Sequence, residues 1–598
     1  MFDVRKVFPF LNWIHEIKDP AILRADLIAG ITVSLVLIPQ SMAYAQLAGL
    51  PPYYGLYISF MPVMIAALWG SSRQLATGPV AVVSIMTATA LASVLGGTAL
   101  SHPEIAAQYI PLAMFMALIV GGFQLLLGLF RLGIVVNFLS HPVIVGFTNA
   151  AALVIGLSQL SKIFGVDMPG APSDHFLSVR IWGVFQQVHD AHIPTLIMGI
   201  AAFVIMMTLK KYKPKLPGVL LVVVSTTIVS WMIGYEETLN GMVVGAIPAG
   251  LPALKVPAID AEMFLTLLPS AMIISLVGFM EAISIAKAMA ANTKDHVDPN
   301  QELIGQGLGN IVGSFTQAYP ASGSFSRSAV NLNAGARTGF SSVVTAAVVV
   351  ITLLFLTPLL YHLPTSVLAA VIMMAVFGLI SINAVKHAWH ANKHDGIASV
   401  VTFFATLGFA PHLDEGIMVG ASLSIMLYLY RTMSPHVAIL GRYKDGSLRD
   451  LSSNPDLPHD DKVIAIRFDG SLYFANVSYF EDAILRVVSN NPNVKFILVV
   501  GNAINQLDAS GETVLHQVVQ RLHDNGITVV FSGLKKGIRD VLARTGLREQ
   551  IGEQNLYSTA DLALEAIYQQ LEVLKGDNEE LFCPLRPDLK SEFYKRIK

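Results

Sequence analysis

From Asp26 to Tyr430 one apolar run follows another and charged side chains are sparse, whereas from Arg431 to Lys598 charges return at soluble density. Backbone N–H and C=O groups find no water inside a bilayer, so a chain of this kind is confined to helices or a closed barrel wherever it meets lipid. The run lengths select helices. Apolar windows fall near 26–48, 54–70, 78–95, 109–130, 141–160, 191–209, 216–233, 264–291, 303–317, 324–333, 339–357, 363–380, 397–410 and 415–430. Most approach the roughly 20 residues of a spanning helix, and a few fall short of it. The whole chain is 54% hydrophobic and 13% charged, against about 25% charged in an ordinary soluble protein.

Basic residues orient the windows. Arg5, Lys6, Lys18 and Arg24 precede the first, which predicts a cytoplasmic N-terminal segment over 1–25, read as an amphipathic lead-in on the membrane surface. Alternate loops then carry Arg73, Arg131, the cluster Lys210, Lys211, Lys213 and Lys215, Lys287 with Lys294, Arg337, Lys386 with Lys393, and Arg431. Lys162, Arg180 and Lys255 are exceptions in loops otherwise poor in positive charge. About fourteen segments with both ends cytoplasmic fit this pattern. The expected division is a transmembrane region over 26–432, a cytosolic domain over 433–575 and a tail over 576–598, in the inner or plasma membrane. A net charge of −2 gives no basic face for nucleic acid. One cysteine, Cys583, precludes an intrachain disulfide. No nucleophile–base arrangement or metal constellation is visible, so neither an enzyme nor a cofactor or metal is expected.

Ala321–Gly339 (ASGSFSRSAVNLNAGARTG) is too polar to cross a bilayer alone. Small residues lead into a short helical candidate near Ser324 with Arg327 in its first turn. The third window behaves alike: it opens on Thr77-Gly78-Pro79 and is short and rich in small residues. Interrupted segments at matching positions of two halves point to inverted repeats around a midplane site. With about seven segments per half, the second copy runs upside down, and two positive helix N-termini approach each other.

The motif DLIAGITVSLVLIPQSMAYAQLAGLPPYYGLY (Asp26–Tyr57) resembles the signature of the sulfate permease family, solute carrier family 26. The resemblance continues through ATGPVAVVS (Ala76–Ser84), FMEAISIAKAMA (Phe279–Ala290), SGSFSRSAVN (Ser322–Asn331) and LDASG (Leu507–Gly511). It implies a polytopic α-helical membrane protein of two seven-segment inverted repeats, divided into core and gate domains. It also implies a homodimer and a C-terminal α/β STAS domain.

An always-charged guanidinium at Arg327 adds positive potential where the helix ends converge, favouring a small anion such as sulfate, bicarbonate or chloride. Gly78, Pro79, Val80 and Ala81 on one side, with Ser324, Phe325 and Ser326 on the other, are expected to form the cradle, the amides of Val80, Ala81 and Ser324–Ser326 facing the anion. Ser84 and Ser328 could add hydroxyls. Pro39 is expected to break the first helix beside Gln40, which shares a face with Tyr44 at i, i+4. Gln40 could donate to an oxyanion while the Tyr44 ring walls the pocket. Glu281 is the candidate coupling residue, able to move a proton or to pair with Arg327. Family members with a proton-carrying glutamate in place of Gln40 put that role on Glu281 here.

After Arg431, the runs 462–468, 495–500 and 527–531 read as strands between helices over 511–524 and 536–544. Ser510 is the expected helix N-cap and, by the resemblance, a possible regulatory phosphosite. The overall expectation is a secondary active anion transporter within membrane lipid, proton-coupled sulfate uptake foremost. Sodium-coupled bicarbonate transport, anion exchange or an uncoupled channel of the same fold are the alternatives.

Overall fold

The computed structural model describes residues 8–98, 103–133, 140–166, 177–213, 217–257, 260–410, 412–573 and 583–586. Residues 1–7 of the expected surface lead-in, Lys215 of the basic loop and most of the 576–598 tail lie outside them. The chain divides into two compact units, Met1–Ser424 and Ile425–Lys598.

In the first unit the principal helices are α1 (Pro20–Leu47), α2 (Met61–Trp69), α3 (Ala81–Leu95), α4 (Ala106–Leu129), α5 (His141–Ser158), α6 (Ile193–Tyr212) and α7 (Gly218–Met232). They continue as α8 (Ala261–Thr293), α9 (Pro299–Phe315), α10 (Phe325–Asn333), α11 (Phe340–Ile351), α12 (Thr365–Phe377), α13 (Lys393–Phe409) and α14 (Leu413–Met433). Eight helical stretches among the described residues are long and apolar enough to cross a bilayer. Others, α3 and α10 among them, are short. Side chains such as Ile197, Ile200, Val204, Val224 and Ile228 are exposed on α6 and α7, the unburied apolar surface expected of helices in contact with lipid.

Packing repeats itself. α1 packs on α11 as α8 packs on α4; α3 packs on α8 as α10 packs on α1; α6 packs on α12 as α13 packs on α5. Each contact maps onto another when every helix is exchanged for the one seven places later, as two copies of one unit require. One part breaks the rule. α1 also packs on α12, while α8 has no comparable packing on α5 among the described residues.

The close core is built on small residues. A Cβ on Gly305 of α9 would meet the Gly70 backbone nitrogen at 2.5 Å, and one on Gly121 of α4 would meet the Gly307 carbonyl oxygen at 2.7 Å. Small residues let membrane helices approach backbone to backbone. Pro39 does not break α1: the helix runs through it to Leu47. Proline removes one intrahelical bond, but a membrane helix surrounded by others tolerates the loss. The neighbouring Ser41 hydroxyl bonds back to the Ile38 carbonyl at 2.8 Å.

The second unit carries a six-stranded sheet. Its strands are β3 (Val437–Arg442), β4 (Leu448–Asp450), β5 (Val463–Phe468), β6 (Phe496–Val500), β7 (Thr528–Ser532) and β8 (Leu556–Tyr557). The run from β5 to β8 is parallel, and β3 joins antiparallel between β4 and β5. Its helices are α15 (Val477–Asn490), α16 (Ala509–Asp524), α17 (Lys536–Thr545) and α18 (Ala560–Val573). Alternate residues of β6 feed two cores: Ile497 and Val499 pack with Phe480, Leu515 and Leu542, while Phe496, Leu498 and Val500 pack with Leu564, Ile567 and Tyr568. Burial on both faces is why this strand reads as an unbroken apolar run. The three strands expected from sequence are present; the β3–β4 hairpin and β8, short or half-polar, were not anticipated.

Candidate functional site

The two interrupted segments meet. β1 (Thr77–Gly78) pairs antiparallel with β2 (Ser322–Gly323), Thr77 opposite Gly323 and Gly78 opposite Ser322. From this ribbon the chain enters α3 on one side and α10 on the other. Neither N-terminus has a side-chain cap, and the first amides of a helix have no intrahelical partner. Ser324 departs from expectation: its amide donates to the Ala76 carbonyl at 3.0 Å, extending the ribbon, and so does not face the cradle. Ser84 and Ser328 are also engaged, Ser84 with the Tyr319 hydroxyl at 3.3 Å and Ser328 accepting from the Ala76 amide at 2.9 Å.

Arg327 lies one turn into α10 and is fully buried. Its Nη1 donates to Gln40 Oε1 at 3.3 Å, and Gln40 Nε2 donates to the Tyr44 hydroxyl at 2.9 Å. Gln40 thus brackets the guanidinium to Tyr44. Arg327 Nε and Nη2 are buried with no hydrogen-bond partner among the described residues. Such donors cost free energy unless something accepts from them. Gly78 makes room for this arrangement. Its φ is +144°, and a Cβ there would lie 3.1 Å from Arg327 Nη2.

A cavity of about 920 Å³ adjoins the cradle. Gln40, Tyr44, Val80, Ala81, Glu281, Ser324, Phe325 and Ser326 all line it. Gly78 in the ribbon, Pro79 just after it and Arg327 do not line it. Glu281 and Arg327 are not paired: the guanidinium's partner is Gln40, and no ion pair joins the two. The cavity reaches Ser140, His141, Lys210 and Lys287, which mark its mouth.

The supports were missed individually. Gln306 Nε2 donates to Thr77 Oγ1 at 2.8 Å and to Glu302 Oε1 at 3.3 Å, and Glu302 accepts from the Ser71 and Ser72 amides. Asn310 bonds both the amide and the carbonyl of Ala321. Glu302, Gln306 and Asn310 recur every fourth residue on α9, a polar stripe that the spacing itself displays. Asp26 accepts from the Arg337 and Thr338 amides and the Thr338 hydroxyl, tying α1 to the start of α11.

In the second unit Asp508, not Ser510, is the N-cap of α16: its side chain accepts from the Gly511 amide at 2.8 Å. A carboxylate one residue before the helix reaches that amide, whereas Ser510 already lies inside the first turn, exposed.

A bundle of apolar helices interrupted by two facing half-helices defines a membrane transporter. The sulfate permease family model matches residues 23–402 and the STAS domain model residues 454–563. Sulfate transporter 4.1, chloroplastic, of Arabidopsis thaliana is 35% identical, the match covering 96% of this chain and 84% of that one. Probable sulfate transporter 4.2 of the same plant is 35% identical over 92% of this chain and 81% of its own. The murine Solute Carrier 26 family member A9 anion transporter has the same fold, with a TM-score of 0.87 over 96% of this chain and 95% of that one at 23% identity. The chain belongs to the sulfate permease family: it is a multi-pass membrane transporter with a C-terminal STAS domain.

Proposed function

We propose that this chain is a secondary active transporter of a small inorganic oxyanion, sulfate foremost, bound between the N-termini of α3 and α10. The observation that carries this reading is Arg327: a wholly buried guanidinium with Nε and Nη2 unpartnered, beside two uncapped helix ends. An oxyanion would satisfy those donors and the free amides together, in surroundings where charge-assisted hydrogen bonds are strong. The sulfate transporter names of the Arabidopsis relatives support the choice of anion.

Glu281 is proposed as the proton-coupling group. It lines the same cavity, so it can take up a proton as the anion binds and lower the net charge that must move. Ser510, exposed in the first turn of α16, is proposed as a regulatory phosphosite, where added negative charge suits a helix N-terminus.

The test is uptake into proteoliposomes of labelled sulfate, bicarbonate and chloride, with and without pH and sodium gradients. Saturable sulfate uptake driven by a proton gradient is expected. Sodium-driven uptake, or large uncoupled anion currents, would overturn the coupling; no sulfate preference would overturn the substrate.

A further inference from the structure

Lys162 is a basic residue in a region otherwise poor in positive charge, and the anion cradle leaves it unexplained. It lies on the short helix Leu160–Phe164 that follows α5. Its Nζ donates to Gln46 Oε1 at 3.2 Å, and no carboxylate among the described residues pairs with it. Gln46 is itself buried on α1. An amide oxygen bears only partial charge, so it compensates the half-buried ammonium incompletely. A cation held in this way can exchange the amide for the full negative charge of an anion, a stronger charge-assisted bond.

The position of Lys162 is fixed by the run of the helices. Glu16, just before α1, and Asp295, just after α8, both pair with Arg73. The start of α1 and the end of α8 therefore share one end of the unit, the end where Lys287 stands at the cavity mouth. α1 runs away from that mouth, and Gln46 lies about 9 Å beyond Gln40 at 1.5 Å per residue. His141, also at the mouth, begins a helical stretch ending at Phe164, about 36 Å long by the same rise. Lys162 thus stands past the cradle, at the end of α1 remote from the mouth; neither it nor Gln46 lines the cavity, so this is the face sealed from it.

We propose that Lys162 is the anion-receiving residue of this sealed face: when the cradle opens toward it, the ammonium parts from Gln46 and takes the incoming oxyanion on the way to Arg327. Gln46 then acts as a placeholder, an uncharged acceptor that holds the ammonium while the face is shut and yields it to a full negative charge. The inference rests on the reading of the Arg327 cradle as an anion site.

The test uses the full chain in right-side-out and inverted membrane vesicles, so that sulfate is presented to one face at a time. Lys162→Met should raise the apparent KM for sulfate at the sealed face by about tenfold, the order expected from losing one unit charge near the path. The KM at the mouth face should stay as it is, and Lys162→Arg should restore the wild-type asymmetry. An unchanged KM at the sealed face overturns the proposal. So does a lowered KM there with a raised KM at the mouth, the signature of a latch whose loss merely favours opening. Lys162→Arg and size-exclusion profiles separate these outcomes from misfolding. Wild-type protein and Arg327→Ala run alongside: absence of sulfate transport by the wild type overturns the cradle reading and this inference together, whereas normal transport with a symmetric Lys162→Met effect overturns this inference alone.

Discussion

In the proposed site, Arg327 carries the charge on which anion binding depends. Truncating one partner of a buried, hydrogen-bonded charge pair costs about 2–5 kcal/mol, so Arg327→Ala should lose sulfate binding by that order while the protein still reaches the membrane. Equilibrium binding of labelled sulfate to purified protein checks this, and near-wild-type affinity would remove Arg327 from the site. Gly78→Ala should act through the same group, because the new Cβ would sit 3.1 Å from Nη2 at a φ of +144°. Overpacking and backbone strain of this kind cost about 1–3 kcal/mol. Sulfate affinity should fall with Gly78→Ala, and a thermal melt should show lower stability. Glu281→Gln should flatten the pH dependence of sulfate uptake; an unaltered profile would take Glu281 out of coupling. At this scale the sequence was informative about which side chains matter and less so about their partners. Gln40 and Tyr44 share a face by spacing, but the bond from Arg327 to Gln40 crosses 287 residues of chain, a distance no local rule spans.

Elements matter here mainly where they stop. The half-helix character of α3 and α10 was legible in Thr77-Gly78-Pro79 and Ser322-Gly323-Ser324, because small residues and a low apolar count cannot fill a bilayer. The ribbon joining them was not. Two-residue strands carry no periodicity, and their pairing is secured by Asn310, Gln306 and Ser328 from other parts of the chain. Asn310→Leu should therefore leave the Ala321 amide and carbonyl unsatisfied, at about 1–3 kcal/mol each. It should weaken sulfate binding although Asn310 does not line the cavity, which the same binding measurement would reveal. α1 teaches the opposite lesson: a proline that a soluble-protein rule would treat as a break sits inside a continuous helix.

At the scale of the molecule, the repeated packing pattern and its departure at α1 and α8 belong together. The cavity occupies the gap where α8 lacks the contacts with α5 that its counterpart α1 makes with α12. Ser284 lines that cavity, just past Glu281 toward Lys287. Ser284→Cys, in a background where the lone native Cys583 is replaced by serine, should react with membrane-impermeant thiol reagents from the mouth face. Sulfate should slow the reaction; labelling indifferent to sulfate would place the anion elsewhere. In the second unit, Leu585 is buried against the Tyr568 core, and Arg586 bonds Glu565 and Glu572 of α18. Arg586 holds the Glu565 carboxyl below its ordinary range. Docking of 583–586 is therefore strongest above the normal glutamate range and should loosen as pH falls through the depressed value. Limited proteolysis of the tail across acidic pH should show that loosening, and Arg586→Ala should abolish its pH dependence.

The sequence alone determined the solvent and the grammar of this protein. Charge scarcity over some four hundred residues demands helices in lipid, and paired interruptions at matching places demand two opposed half-helices. The motifs named the family. Only the tertiary structure decided that Arg327 rests on Gln40 and not on Glu281, that Asp508 caps α16, and which face of the cradle stands open. The reason is physical. Composition and periodicity report the average environment of a segment. The partner of a buried polar group is chosen by packing among helices far apart in sequence, where a displacement of one turn exchanges one acceptor for another.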